Sequence, residues 1–177
     1  MDTCSTTRGT AWNGLLCAIR LAVSLPAQGT IWPSSVRTWG DFPSDSEGRH
    51  GTFWRVAACG YGTLTLRSDG RVFANGQGSG LRLVPPAGPG LTYVDIAVSY
   101  GYGMGLLSDG SILKWGWSGM PQAPVPPAGT RYEQIAAGGA HGVAIRSDGA
   151  VIAWGDPAAN ILGQLQVPSQ LTAGTVV

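Results

Sequence analysis

The chain has 177 residues, enough for one compact domain with a buried core. Only 12% of the residues are charged and the formal net charge is +1, which excludes a broad basic face for nucleic acid and an acidic tail. The 28 glycines and 12 prolines favour many short turns over long helices. No run of 18 apolar residues occurs, so the sequence predicts no transmembrane helix.

Residues 1–30 are predicted to be a leader with some features of a secretory signal. Residues 15–25 are largely apolar and small residues follow them, but Arg20 interrupts this run and only Arg8 supplies positive charge ahead of it. A short helix or an irregular leader is the alternative. Secreted and cytoplasmic locations therefore both remain open. Residues 31–177 are expected to form the folded region.

A repeat of about 40 residues organises the chain after residue 51. The tripeptide Ser-Asp-Gly occurs at 68–70, 108–110 and 147–149. Each copy follows an aromatic and β-branched segment, precedes an alternating segment that ends in glycine, and closes on a Val-Pro pair. A lone related segment, residues 36–40, precedes the three copies and is predicted to be a single strand. The repeats are placed at about 52–91, 92–130 and 131–177.

Each copy predicts a small antiparallel sheet. An Asp-Gly turn between apolar runs is typical of a β-hairpin, because glycine adopts positive φ at low cost and aspartate bonds its own backbone. The Val-Pro segments suit an edge or a connection, since proline cannot donate to a sheet ladder. About four strands in every 40 residues indicate the blade of a β-propeller. The predicted structural turn residues are Asp69, Gly70, Asp109, Gly110, Asp148 and Gly149.

The third copy resembles a repeat of the regulator of chromosome condensation family. The residues that carry the resemblance are 136–145 (AAGGAHGVAI), 147–149 (SDG), 151–155 (VIAWG) and 163–165 (GQL). The second copy has Tyr102 in place of His141, and the first has Gly62 there and Asn75 in place of Trp154. The resemblance implies an all-β propeller that is closest in style to the bacterial β-lactamase inhibitory type.

The number of repeats is the main departure from this family. Three four-stranded blades and one lone strand are fewer than a closed ring needs, so the expected fold is an incomplete β-propeller. Three explanations remain open: a piece of a longer protein, a divergent copy, or a ring that subunits of a homo-oligomer complete together.

No catalytic constellation is apparent, and the chain is expected not to be an enzyme. The three aspartates recur at one turn position, which favours a structural role over acid–base chemistry or calcium binding. His141 has no second ligand at a metal-like spacing, so no metal or cofactor is expected. The cysteines Cys4, Cys17 and Cys59 lack a paired spacing and are expected to be unpaired, with Cys59 in the core.

Aromatic residues outside the repeat frame are the best candidates for a binding surface. They fall in turns or at strand starts, and exposed Trp and Tyr often anchor a protein partner. The predicted function is therefore protein–protein interaction, to which the resemblance adds an inhibitory action. Carbohydrate or cell-surface binding, guanine-nucleotide exchange as in the nuclear family member, and a truncated fragment without independent function remain alternatives. The candidate residues are Tyr61, Tyr100, Tyr102, Trp117 and His141.

Overall fold

The computed structural model describes residues 52–60, 62–76 and 80–172, which form three antiparallel sheets in succession along the chain. Sheet 1 contains β1 (Phe53–Cys59), β2 (Gly62–Arg67) and β3 (Val72–Gly76). Sheet 2 contains β4 (Tyr93–Ser99), β5 (Tyr102–Leu107) and β6 (Ile112–Gly116). Sheet 3 contains β7 (Tyr132–Ala137), β8 (His141–Arg146) and β9 (Val151–Gly155), and is followed by a 3-10 turn (Pro157–Ala159) and a short helix α1 (Ser169–Thr172). The predicted leader and the predicted strand at 36–40 lie outside the described residues.

Each sheet has three strands, one fewer than the sequence predicts. The segment between β6 and β7 is irregular and contains four prolines, which have no N–H to donate to a ladder. A side chain pairs with the outer edge of β6 instead. The carboxamide of Gln122 accepts from the Lys114 backbone N–H at 3.1 Å and donates to the Lys114 carbonyl at 2.9 Å. This amide therefore makes the two hydrogen bonds that a fourth strand would make at Lys114.

The same irregularity recurs at the start of the first strand of every sheet. The register between the first two strands shifts at Phe53/Arg55, at Tyr93/Asp95 and at Tyr132/Gln134. A bulge of this kind leaves one residue out of the ladder and bends the strand. Its recurrence at one repeat position shows that the three copies share a backbone geometry as well as a sequence pattern.

The hydrophobic core consists of two clusters, one at each contact between neighbouring sheets. The first joint, between sheets 1 and 2, is built from Leu64, Leu66, Leu81, Tyr93, Ile96 and Trp115. The second joint, between sheets 2 and 3, is built from Tyr102, Met104, Leu106, Met120, Tyr132 and Trp154. Sheet 2 is covered on both faces, and every residue of β5 is buried. The outer face of sheet 1 is more open: Val56 is 53% exposed, whereas Ile96 at the same repeat position is 6% exposed.

The Ser-Asp-Gly turns join the second and third strands of each sheet, and those at 68–70 and 108–110 also contact the start of the following sheet. Gly110 has a φ of +83°, and its carbonyl accepts from the Tyr132 N–H at 3.1 Å. A Cβ at Gly110 would overlap the Cβ of Arg131, and one at Gly70 would lie 2.7 Å from the Cβ of Thr92. Glycine is therefore required here both by the backbone conformation and by the close approach of the following sheet.

Candidate binding surface

Antiparallel pairing places two kinds of turn at opposite ends of the sheets. One end carries the Ser-Asp-Gly turns. The other, called the hairpin end below, carries the β1–β2, β4–β5 and β7–β8 turns and the last residues of β3, β6 and β9. Four of the predicted binding residues lie at the hairpin end, and Tyr61 lies outside the described residues. The four are Tyr100, Tyr102, Trp117 and His141.

Tyr100 and Trp117 lie on adjacent backbone segments of sheet 2. Tyr100 begins the β4–β5 turn, and Trp117 directly follows β6. The Trp117 N–H donates to the carbonyl of Gly101 at 2.8 Å, which fixes the two segments side by side. Tyr100 is 65% exposed and Trp117 is 41% exposed. The middle sheet therefore presents two large aromatic side chains together at the hairpin end.

The loop after β6 is held in place by Lys114, the only lysine of the chain. Its ammonium group donates to the carbonyls of Trp117 and Met120, the latter at 2.9 Å. Lys114 is buried, and burial lowers its pKa. Within the described residues it makes no ion pair, so the backbone carbonyls are its polar partners. Trp117 thus belongs to a loop that is organised before any partner binds.

His141 lies at the same end, in sheet 3, beside a loop formed by residues 156–165. The Asp156 carboxylate accepts from the Ala158 N–H at 2.9 Å, and Asn160 Oδ1 accepts from the Leu165 N–H at 3.0 Å. Gln164 accepts from the Leu162 N–H at 2.9 Å and donates to the Ala159 carbonyl at 3.0 Å. The loop's polar side chains thus bond its own backbone, and a shallow recess lies between this loop and His141.

Tyr102 was predicted to be exposed, and this is wrong. Its side chain is fully buried in the second joint, and its hydroxyl donates to the carbonyls of Gly138 and His141 at 2.7 and 2.8 Å. Burial raises the pKa of Tyr102 to about 12. Because sheet 3 covers the face of β5 that carries it, Tyr102 connects two sheets and does not belong to the exposed surface.

The three aspartates of the Ser-Asp-Gly turns all accept hydrogen bonds close to their own position. Asp69 is paired with Arg67, and Asp148 accepts from Arg146 Nε at 2.8 Å. These guanidinium contacts lower the pKa of each carboxyl to about 2. Asp109 instead accepts from the hydroxyl and backbone N–H of Ser111 at 2.7 and 2.9 Å, which also lowers its pKa. The carboxylates are engaged in turn geometry, each in its own sheet.

Neither a metal site nor a membrane span is evident in the part of the chain that the structure describes. No group of three or more His, Cys, Asp or Glu side chains is arranged there to hold a metal ion. None of the described helices is long and apolar enough to cross a bilayer. Cys59 is a free, half-buried thiol that donates to the carbonyl of Ser99 at 3.4 Å.

Two residues with notable environments were missed by the sequence reasoning. Trp54 is 63% exposed, and it lies at the bulge of β1, at the Ser-Asp-Gly end. The sequence does not indicate that Trp54 is exposed, because a tryptophan at the start of a strand is as compatible with a core position as with a surface position. Lys114 is the second residue that was missed. The one feature of the sequence that could have indicated its unusual environment is that the chain's only lysine interrupts an apolar strand.

Residues 132–160 match the family described as "Regulator of chromosome condensation (RCC1) repeat". The chain carries a repeat of the regulator of chromosome condensation family. The match covers β7, β8 and β9 and the 3-10 turn after them, and it confirms the resemblance seen in the third copy. None of the curated proteins matches the chain.

Many solved structures share the fold, and three of them show the degree of similarity to the chain. Yeast RCC1 (Prp20), solved with Kap60 bound, aligns with a TM-score of 0.53 and 21% identity over 76% of this chain and 35% of its own. Human WBSCR16 aligns with a TM-score of 0.51 and 20% identity over 59% of this chain and 33% of its own. The ectodomain of the Physcomitrella patens receptor kinase CR4 aligns with a TM-score of 0.51 and 14% identity over 61% of this chain and 31% of its own.

These similarities show the fold. The chain spans about a third of the length of each of these proteins. Together with the three stacked antiparallel sheets, they confirm the prediction of an all-β, incomplete β-propeller, in which residues 132–160 match the regulator of chromosome condensation repeat.

Proposed function

We propose that this chain is a non-catalytic protein-binding module whose binding surface lies at the hairpin end of sheet 2. The observation that carries the proposal is the joint exposure of Tyr100 and Trp117 on a sheet whose middle strand is buried throughout. Large amphipathic side chains in a fixed backbone frame contribute much binding energy at a small cost in conformational entropy. An inhibitory action on the partner stays a prediction.

The surrounding contacts favour this surface over other exposed apolar positions. Val125 and Leu83 are more exposed and, like Trp117, lie on irregular segments between the sheets. Trp117, in contrast, is fixed through its own N–H and through the ammonium group of Lys114. The yeast protein of similar fold is itself solved with a protein, Kap60, bound to it, which is consistent with a protein-binding role for such a scaffold.

The partner is sought by site-specific photo-crosslinking. A benzophenone amino acid is introduced at Trp117 and, as a control, at Leu83, and the cross-linked species are identified by mass spectrometry. We expect a protein that cross-links from position 117 and not from position 83. If no protein exceeds the control, the proposal is contradicted.

The second step measures affinity for the purified partner. The double variant Tyr100→Ala/Trp117→Ala is expected to weaken binding at least about tenfold, since each anchor contributes on the order of 1–2 kcal/mol. Trp54→Ala is the matched control, because it removes an exposed tryptophan at the opposite end. An equal loss in the control would show that the surface is elsewhere. Binding to a glycan array that the double variant loses, without any cross-linked protein, would favour the carbohydrate alternative.

A further inference from the structure

Lys114 and Trp154 have environments that a protein interior normally avoids. Lys114 is buried without a carboxylate partner among the described residues, and the indole nitrogen of Trp154 is buried without a hydrogen-bond partner there. An unpaired buried donor costs about 1–3 kcal/mol, so such a group needs an explanation. Both lie at the second joint, next to the loop that carries Trp117.

The first joint shows the hydrogen bond that Trp154 lacks. There the indole N–H of Trp115 donates to the carbonyl of Leu81 at 2.8 Å. Trp154 holds the same repeat position as Trp115. Met120, like Leu81, is a fully buried residue of the segment that follows the third strand of the preceding sheet. Met120 and Trp154 also share one core cluster, as Leu81 and Trp115 share the other. The carbonyl that Trp154 would be expected to use is therefore that of Met120.

In the second joint this carbonyl accepts from Lys114 instead. The Lys114 ammonium group lies 2.9 Å from the Met120 oxygen and also contacts the Trp117 oxygen. At the same repeat position the other two sheets have alanine, Ala74 and Ala153, so this contact is specific to sheet 2. The backbone of Lys114 is in turn fixed by the Gln122 side chain. One residue thus ties the strand to both ends of the segment 117–120.

We propose that Lys114 is a positioning residue for the binding surface: its ammonium group holds the carbonyls of Trp117 and Met120 so that Trp117 is presented outward, at the expense of the hydrogen bond between Trp154 and Met120. This inference rests on the proposed function for its biological meaning. Its structural content concerns contacts within the chain and is tested without a partner.

The first test compares the wild type with Lys114→Met, which keeps the apolar stem and removes the charged head. Indole N–H resonances are recorded by NMR on protein labelled with 15N-tryptophan. We expect the Trp154 proton to move downfield, towards the Trp115 resonance, as it takes the released carbonyl, and the Trp117 resonance to shift and broaden. Arg71→Met, which removes an exposed positive charge from sheet 1, is the matched control and should move neither resonance.

The temperature of unfolding separates positioning from simple support of the fold. Removing a buried charge relieves its desolvation cost, which offsets the loss of its hydrogen bonds to two backbone carbonyls. Lys114→Met is therefore expected to unfold at the wild-type temperature or above it, and to bind the partner at least tenfold more weakly. Unchanged Trp117 and Trp154 resonances in a folded variant would overturn the proposal. So would a lower unfolding temperature with unchanged affinity.

A second measurement uses the wild type and applies even if the variant does not fold. Because Lys114 is the only lysine, an amine-acylating reagent can modify only this side chain and the N-terminal amine. Peptide mapping over time should show Lys114 reacting at least tenfold more slowly in the folded protein than in denaturant, with the N-terminal amine as the internal control for the reagent. Equal rates for Lys114 in the two states would overturn the proposal. Failure of the cross-linking experiment, in contrast, would contradict the proposed function and leave these two results unaffected.

Discussion

The two joints between the sheets have the same apolar frame and different polar contacts. In the first joint, Trp115 donates its indole N–H to Leu81 and meets the ring of Tyr93 edge-on, with an interplanar angle of 68°. In the second joint, Trp154 lies at only 28° to Tyr132 and its N–H has no partner among the described residues. The repeat sequence therefore determines where the aromatic rings pack, but it does not determine how their polar atoms are satisfied.

The second joint obtains its polar contacts from residues that the first joint lacks. The hydroxyl of Tyr102 joins sheets 2 and 3, whereas Gly62 stands at that repeat position in sheet 1 and leaves its space to the Leu81 side chain. There the thiol of Cys59 reaches the carbonyl of Ser99 instead. The contacts that differ between the joints lie close to the hairpin end of sheet 2, where the proposed binding surface is. The hydrogen bonds therefore depart from the repeat pattern close to the proposed binding surface, as expected where a functional site overrides the pattern of a fold.

The largest effect is expected from a substitution that forces the second joint apart. Gly110→Ala adds a Cβ that overlaps Arg131 at a φ of +83°. The positive φ alone costs about 1–2 kcal/mol, and the overlap adds about 1–3 kcal/mol. Chemical denaturation gives the free energy of unfolding of the variant and of the wild type.

Gly129→Ala is the control for this substitution. Gly129 has a φ of +82°, and a Cβ there would meet nothing within 4 Å. Gly129→Ala should lower the free energy of unfolding only by the cost of the positive φ, about 1–2 kcal/mol, because its Cβ overlaps no other atom. Equal losses in the two variants would show that the Ser-Asp-Gly turn does not contact the following sheet as described.

A smaller loss is expected when the buried hydroxyl of the second joint is removed. Tyr102→Phe removes the hydroxyl donor of the Gly138 carbonyl, whereas the His141 carbonyl keeps the Gly138 N–H at 2.8 Å, and the loss should cost about 1–3 kcal/mol. Tyr93→Phe removes one hydrogen bond, to the carbonyl of Pro85, in a less buried setting and should cost about 1 kcal/mol. Denaturant titrations of both variants give the comparison. A larger loss for Tyr93→Phe would mean that the hydroxyl of Tyr102 adds little to the joint.

Much of this architecture follows from the sequence, because turns and strand periodicity are local properties. Asp109 and Gly110 mark a turn whose geometry depends on a few neighbouring residues. The burial of Tyr102 and Lys114 depends on what covers each face of sheet 2. That information comes from residues in the next repeat, such as Gly138, and from a loop whose path the repeat does not specify. The sequence therefore located Tyr100 and Trp117 near the surface, but it could not separate them from Tyr102.

The missing indole hydrogen bond predicts that equivalent tryptophans differ in their contribution to stability. Trp115→Phe and Trp154→Phe remove the same volume, but only the first breaks a hydrogen bond. Trp115→Phe should therefore lose about 1 kcal/mol more of the free energy of unfolding than Trp154→Phe. The two variants serve as controls for each other in urea titrations. Equal losses would show that the Trp154 N–H is satisfied in solution.

The smallest effect is expected at low pH, in the turns outside the middle sheet. The pKa of Asp148 is held at about 2 by Arg146, below its ordinary value of 3.8, so the unfolded chain takes up protons first as the pH falls. The contact between Arg146 and the ionised Asp148 carboxylate therefore stabilises the folded state above pH 3.8, and this stabilisation is lost as the pH falls towards 2. Asp148→Asn should therefore flatten the dependence of the unfolding temperature on pH in this interval, by a small amount because the pair is exposed.

The corresponding turn of sheet 2 provides the contrast for this measurement. Leu107 occupies the position of Arg67 and Arg146, because that position of sheet 2 is buried in the first joint. Asp109 consequently bonds Ser111 instead of a guanidinium group, and Asp109→Asn should flatten the pH dependence less than Asp148→Asn. A larger effect at Asp109 would contradict the role of the arginine pairs.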